Sequence, residues 1–257
     1  LPASAIANPG VVQVQVKQFN GTTSKPLFIV VAPAGTPTAV ATVDAAAFGA
    51  SAAPESLVAA FGTNLSTQIA IAGTTLPLPT ALDGTSVYIN GQPASLFFVS
   101  PGQVNYQIPE GILPGPASVA VINRNGVVSQ GQVLVQATAP GIFTRLSNGK
   151  GAPAAVASTD NGSSFTVVMS NADGTPVEIS AGNVVALFGT GLRFRSGDIT
   201  ATAGGVTATP SFAGPQGGTG LDQINLTIPA GMAGKGEMDL VFSFDGKTTN
   251  TVRIKVK

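Results

Sequence analysis

Apolar and polar positions alternate in short runs along most of this chain, and Gly, Pro, Asn or Asp separates the runs. In the stretch VVQVQVKQFNGTTSKPLFIVV (11–31), Val12, Val14 and Val16 fall on one side of an extended backbone, and Gln13, Gln15 and Lys17 on the other. An Asn-Gly pair at 20–21 lies between this run and the next, which predicts a β-hairpin. The second run, 27–31, is apolar on both faces. Similar runs of five to eight residues, rich in Val, Ile, Thr and Phe, recur down the chain, as strands prefer. No long helical period is present, and 44–60 holds a short turn of helix at most. The pattern predicts an all-β protein.

Three motifs occur twice, in the same order. SLVAAFGTNL (56–65) matches NVVALFGTGL (183–192), and GQVNYQIP (102–109) matches LDQINLTIP (221–229). ASVAVINRNGVVSQGQVLVQ (117–136) matches EMDLVFSFDGKTTNTVRIKV (237–256). The opening stretch aligns with this third motif alone, placing Gly21 opposite Gly126 and Gly246, so NGTTS, NGVVS and DGKTT read as one turn. The organisation expected is a partial module with the start of a linker at 1–35 and two complete modules at 40–138 and 139–257. The linker itself is 32–42, APAGTPTAVAT. In the second copy, 193–220 is expected to be longer than its first-copy equivalent.

The chain has 257 residues, room for two immunoglobulin-sized sandwiches of about 100 residues each with some left over. Only 9% of residues are charged, against about 25% in an average domain. Lys+Arg and Asp+Glu are both 12, so no basic face is available for phosphates and a nucleic-acid partner is not expected. There is no Cys and no His, which removes thiolate chemistry, disulfides, Cys/His zinc sites and any imidazole-based relay. No apolar run approaches the roughly 20 residues of a membrane span. The chain opens on Leu1 rather than Met, which predicts a processed form or a piece of a longer protein.

DAAAFGASAAPESLVAAFGTNL, then LPLPTALDGTSVYINGQPASLFFVSPGQVNYQIP, then the closing hairpin resemble the Ig-like C-terminal domain of secreted acidobacterial proteins. APGIF (139–143), VVALFGTGL, QINLTIPAG and the last hairpin resemble its later half. NPGVVQVQVKQFNGTTSKPLFIVV resembles the end of an IPT/TIG domain, also Ig-like. The resemblance implies tandem Ig-like (IPT/TIG-like) β-sandwiches with an extra N-terminal β-hairpin, in a secreted or cell-surface protein. It implies no reaction, so the expectation is a protein that is not an enzyme, without catalytic residues, cofactor or metal.

The candidate chemistry gives way to plainer readings. GTGLRF (189–194) and GPQGGTG (214–220) lack the third Gly of a dinucleotide fingerprint and the Lys-Ser/Thr of a P-loop, and read as turns. Glu237 and Asp239 share a strand face with Asp245 in the following turn; Asp44 with Glu55, and Asp83, are the other carboxylates considered. None has calcium-loop spacing, and all read as solvated strand edges. Arg193 and Arg195, flanking Phe194, read as a surface strand end. The chain has no Trp and two Tyr; Tyr88 and Tyr106 read as half-buried strand residues rather than sugar-stacking platforms. Asn105 and Asn225 sit in apolar strands two residues after a Gln, so their amides are expected to be hydrogen-bonded, tying strand to loop.

The opening hairpin has no module body of its own. Burying each of its large apolar side chains is worth about 1.5–3 kcal/mol, and a lone hairpin is marginal in water. Upstream residues, the 40–138 module, or a second copy of the chain are the three ways to cover it. A second copy is favoured: strand complementation in a head-to-tail contact that does not close, which gives filaments. The self-association residues expected are Val12, Val14, Val16, Phe19, Leu27, Phe28, Ile29, Val30 and Val31, and the partner is the chain itself. Cell-surface or polysaccharide components are the partners in the rival reading, an accessory or spacer module of a larger secreted protein.

Overall fold

The computed structural model describes residues 3–32 and 37–257. Residues 33–36, in the middle of the expected linker, lie outside the described residues, as do residues 1 and 2. The described chain is all-β apart from two short 3-10 turns, Ala3–Ile6 and Ala230–Met232. It forms tandem Ig-like β-sandwiches. Packing divides it into two units: residues up to Val43 with Val58–Val135, and Asp44–Leu57 with Gln136–Lys257.

In the first unit a continuous sheet runs through Ala70–Ile71, Ser95–Val99, Gln103–Gln107, Leu57–Gly62, Thr38–Asp44, Val128–Val135, Gly115–Ile122, Thr85–Ile89 and Ala81–Leu82. Thr38–Asp44 is the crossing strand. It runs parallel to Val128–Val135 (Ser129 opposite Thr38) and lies beside Leu57–Gly62 on its other edge. The approach is close at Gly131, where a Cβ would lie 2.0 Å from the Val40 carbonyl oxygen. The period-2 pattern sends alternate residues inward: Val87, Ile89, Leu96, Val104 and Tyr106 have no exposed surface. LFFV (96–99) keeps Leu96 and Val99 inside, and a register shift between Leu96 and Phe98 turns its two Phe to half-buried positions.

The second unit has two sheets. One orders Val167–Val168, Ala155–Ser158, Val184–Thr190, Asp222–Thr227 and Phe212–Pro215; the other orders Glu178–Ile179, Val252–Val256, Gly236–Phe244, Thr200–Ala203 and Val206–Ala208. Leu187, Ile224, Leu226, Phe242 and Ile254 form the core between them. The sequence repeat is a structural repeat: Leu57–Gly62 neighbours Gln103–Gln107 in one unit as Val184–Thr190 neighbours Asp222–Thr227 in the other.

Two expectations need correction. The stretch 193–220 is shorter, not longer, than its counterpart: Leu192 to Asn225 is 33 residues, against 40 from Leu65 to Asn105. The three aligned glycines also do not share one turn. Gly21 and Gly126 close the same loop, with Gly21 N–H donating to Gln18 and Gly126 N–H to Asn123 at 3.0 and 2.9 Å. Asp245-Gly246 instead forms a two-residue turn with both φ positive (49° and 70°), so that Phe244 pairs directly with Lys247.

Candidate association surface

The N-terminal hairpin pairs Gly10–Val14 with Leu27–Val31, in register from Gly10 opposite Val31 to Val14 opposite Leu27. Lys17 bridges Thr23 beyond the ladder, and Asn20 Oδ1 accepts the Thr22 N–H at 3.0 Å within the Asn-Gly turn. The hairpin lies on its own first unit, the second of the three coverings considered. Phe28 N–H donates to the Gly91 carbonyl at 2.7 Å, and the Phe28 and Tyr88 rings tilt against each other with centroids 5.7 Å apart. Gly91 sits at φ +74° in the turn after Thr85–Ile89, where a Cβ would lie 2.3 Å from the Phe28 carbonyl oxygen. Glycine is therefore required twice over, by conformation and by contact.

This covering is incomplete. Val12, Val14, Phe28, Ile29, Val30 and Val31 are half-buried, whereas Val16, Phe19 and Leu27 are exposed, Phe19 fully. A cavity of about 570 Å³ remains between Leu27–Val30 of the hairpin and the outer face of the sheet. Gly91→Ala is expected to push the hairpin off that face. Chymotryptic cleavage after Leu27 or Phe28 should then accelerate at least several-fold; an unchanged rate would contradict the docking.

The other candidates fall elsewhere. Tyr106 is fully buried rather than half-buried; its hydroxyl lies 3.0 Å from Thr42 Oγ1, and burial pushes its pKa up. Asn105 and Asn225 are hydrogen-bonded as expected, but the partner is the Gln on the same strand face, not a loop. Gln103 Nε2 donates to Asn105 at 2.7 Å and Gln223 Nε2 to Asn225 at 2.6 Å. Glu237 and Asp239 both pair with Arg253 on the adjacent strand, and Asp83 pairs with Arg124 at 2.5 Å. Asp245 accepts from Ser196 N and Gly197 N, which holds its carboxyl below the usual range. GTG and GPQGGTG lie together in the second unit, Thr190 Oγ1 donating to the Gly220 carbonyl at 2.8 Å, with no helix behind either.

Asp44 and the Arg193 side chain are buried rather than surface groups, and Glu55 is half-buried. Arg193, with a side chain only 9% exposed, reaches Asp222 (2.9 Å) through Nε and Glu55 (3.0 Å) through Nη1. Asp222 has no exposed surface, and its second oxygen accepts the Leu192 N–H at 2.8 Å. In the first module the equivalent Leu65 N–H donates to the Pro101 carbonyl instead, so a side chain replaces a backbone acceptor in the second copy. Arg195 also turns inward, donating to the Gly197 and Ala213 carbonyls at 2.8 and 3.0 Å. Asp44 is 2% exposed. Its Oδ1 accepts the Ala46 and Ala47 N–H groups, while Oδ2 is buried with no hydrogen-bond partner among the described residues. Burial pushes its pKa up to about 7, against the pull of those two donors. Among the described residues no three His, Cys, Asp or Glu side chains converge as a metal site would require, and no helix is long and apolar enough to cross a membrane.

Residues 56–137, within the first Ig-like module, match the family model of the IPT/TIG domain. The match falls on this module rather than on the opening residues. A search of curated proteins found no significant match. Among solved structures, the chain is similar to SGBP-B of the Bacteroides ovatus mixed-linkage glucan utilization locus (TM-score 0.37, 15% identity, covering 96% of this chain and 52% of that one). It is also similar to a titin Ig tandem (TM-score 0.24, 11% identity, covering 80% and 90%). Domains 5–6 of the S-layer protein SbsC are a third (TM-score 0.28, 12% identity, covering 86% and 96%). The chain spans about half the length of SGBP-B, and 30% of a γ-CGTase from an alkalophilic Bacillus clarkii that it also matches.

Proposed function

We propose that this chain is a non-catalytic, extracellular structural or adhesive protein that associates with copies of itself through its N-terminal hairpin. The observation that carries this reading is the half-finished docking of the hairpin. Leu27–Val31 is apolar on both faces, yet a cavity of about 570 Å³ lies beneath it and Leu27 remains 44% exposed. A hairpin held this loosely exchanges at little cost: the same Phe28–Gly91 and Phe28–Tyr88 contacts form equally well with the first unit of a second copy. Exchange of that kind uses two different surfaces and so propagates head to tail. A chain with zero formal net charge and 9% charged residues has little repulsion to oppose it.

The test is removal of residues 1–35 followed by size-exclusion chromatography over a dilution series. The full chain should elute as concentration-dependent oligomers and the shortened chain as a monomer. Monomeric elution of both at every concentration would overturn the reading.

A further inference from the structure

We propose that the outer sheet face of the first unit, roofed at one side by the hairpin, is a binding trough for a neutral saccharide chain. Two cross-strand rows build it. Tyr88, Ala120 and Gln130 lie side by side, and Ala120 is the residue opposite both of the others. Asn90, Ser118 and Gln132 form the next row: Ser118 is opposite Gln132, and its N–H donates to Asn90 Oδ1 at 2.8 Å. The central strand contributes only a methyl and a hydroxymethyl, while both flanking strands raise longer side chains. The surface between them is therefore a groove rather than a flat face.

Its chemistry matches a neutral polyhydroxy ligand. The lining of the cavity of about 570 Å³ contains no Asp, Glu, Lys or Arg, so an ionic ligand finds no counter-charge. That volume lies within the range of about 300–1,000 Å³ usual for ligand sites. Gln130 and Gln132 are exposed, and their amides make no hydrogen bond among the described residues. Each offers two N–H donors and a carbonyl acceptor, a set that bridges neighbouring hydroxyls. Tyr88 supplies an aromatic ring at the opposite wall, held by Phe28. An extended peptide is disfavoured because the strands under the trough, Thr85–Ile89, Gly115–Ile122 and Val128–Val135, are interior to the sheet and leave no free ladder edge. The inference goes beyond self-association, since the hairpin roofs the trough in the same way from its own chain or from a neighbour.

The chain has two Tyr and no Trp, and Tyr106 is fully buried, so ligand-induced changes in tyrosine fluorescence report on Tyr88. The full chain is titrated, at a concentration where sizing shows monomer, with a soluble β-glucan, a xylan and a galactomannan, and with polygalacturonate as the charged control. At least one neutral glycan should give a saturable change and polygalacturonate none. Replacing Gln130 and Gln132 together by Ala should weaken binding at least tenfold with the unfolding midpoint unchanged, and Ala120→Leu, which fills the floor, should abolish it. The inference is overturned if no neutral glycan binds, if polygalacturonate binds equally, or if both variants bind as the parent does. Each of these results is independent of the oligomeric state of the chain with and without residues 1–35.

Discussion

Raising the pH from 4 to 7 should lower the unfolding free energy of the second unit by about 3 kcal/mol through Asp44 alone, whose carboxyl titrates near 7 when folded against 3.8 when free. The sign follows from which state holds the proton. Between those values the unfolded chain has lost its proton and gained a hydrated carboxylate, while the folded chain keeps the carboxyl neutral. Stability is therefore greatest below about 4, declines through the window, and levels off above 7. No charged side chain contributes to the shift; burial does, against the Ala46 and Ala47 N–H groups. Gly141 packs closely on Oδ1: a Cβ there would lie 2.5 Å away. Asp44→Asn keeps the acceptor and removes the titration, so its urea midpoint should fall less steeply with pH than the parent's. Asp222 is also pushed up by burial and adds to the slope of both proteins equally. Asp160, Asp173 and Asp245 are held below their usual range and act at lower pH with the opposite sign. Parallel midpoint-versus-pH curves for parent and variant would contradict the assignment.

The second large effect is expected at the buried ion cluster. Arg193→Ala leaves Asp222 with no exposed surface and without its cation, and breaking such a pair from one side costs about 3–5 kcal/mol. Replacing both Arg193 and Asp222 by apolar residues of similar volume should recover much of that loss, because neither charge then needs to leave water. Glu55 tempers the outcome, since it faces the same guanidinium and would lose that partner in either variant. Urea denaturation of the two variants decides it. If the double replacement is as unstable as Arg193→Ala, the cluster matters through its packing or through Glu55, not through the stranded carboxylate.

The strands, the two-copy repeat and the hairpin were legible because they rest on local periodicity: alternation in 85–89, 103–107 and 117–122 places the same residues inside that the structure buries. The amides of Asn105 and Asn225 were legible as hydrogen-bonded because a polar residue in an apolar strand has few other ways to be satisfied. What escaped depends on contacts distant in sequence. Arg193 reads as a strand end until Asp222 and Glu55 arrive from opposite directions along the chain. Asp44 reads as a solvated strand edge until Gly141 packs against it. The turn at Gly246 differs from those at Gly21 and Gly126 because two residues separate its strands, a length that glycine alignment does not reveal. The trough was invisible for a related reason: Tyr88, Ser118 and Gln130 become neighbours only through strand register.

The central claim is that residues 1–35 join copies of this chain. It is tested most directly by negative-stain electron micrographs of the full chain and of the chain lacking residues 1–35, at the same protein concentration. Linear head-to-tail arrays of the full chain, with isolated particles of the shortened one, are the result expected. Isolated particles in both samples would contradict it.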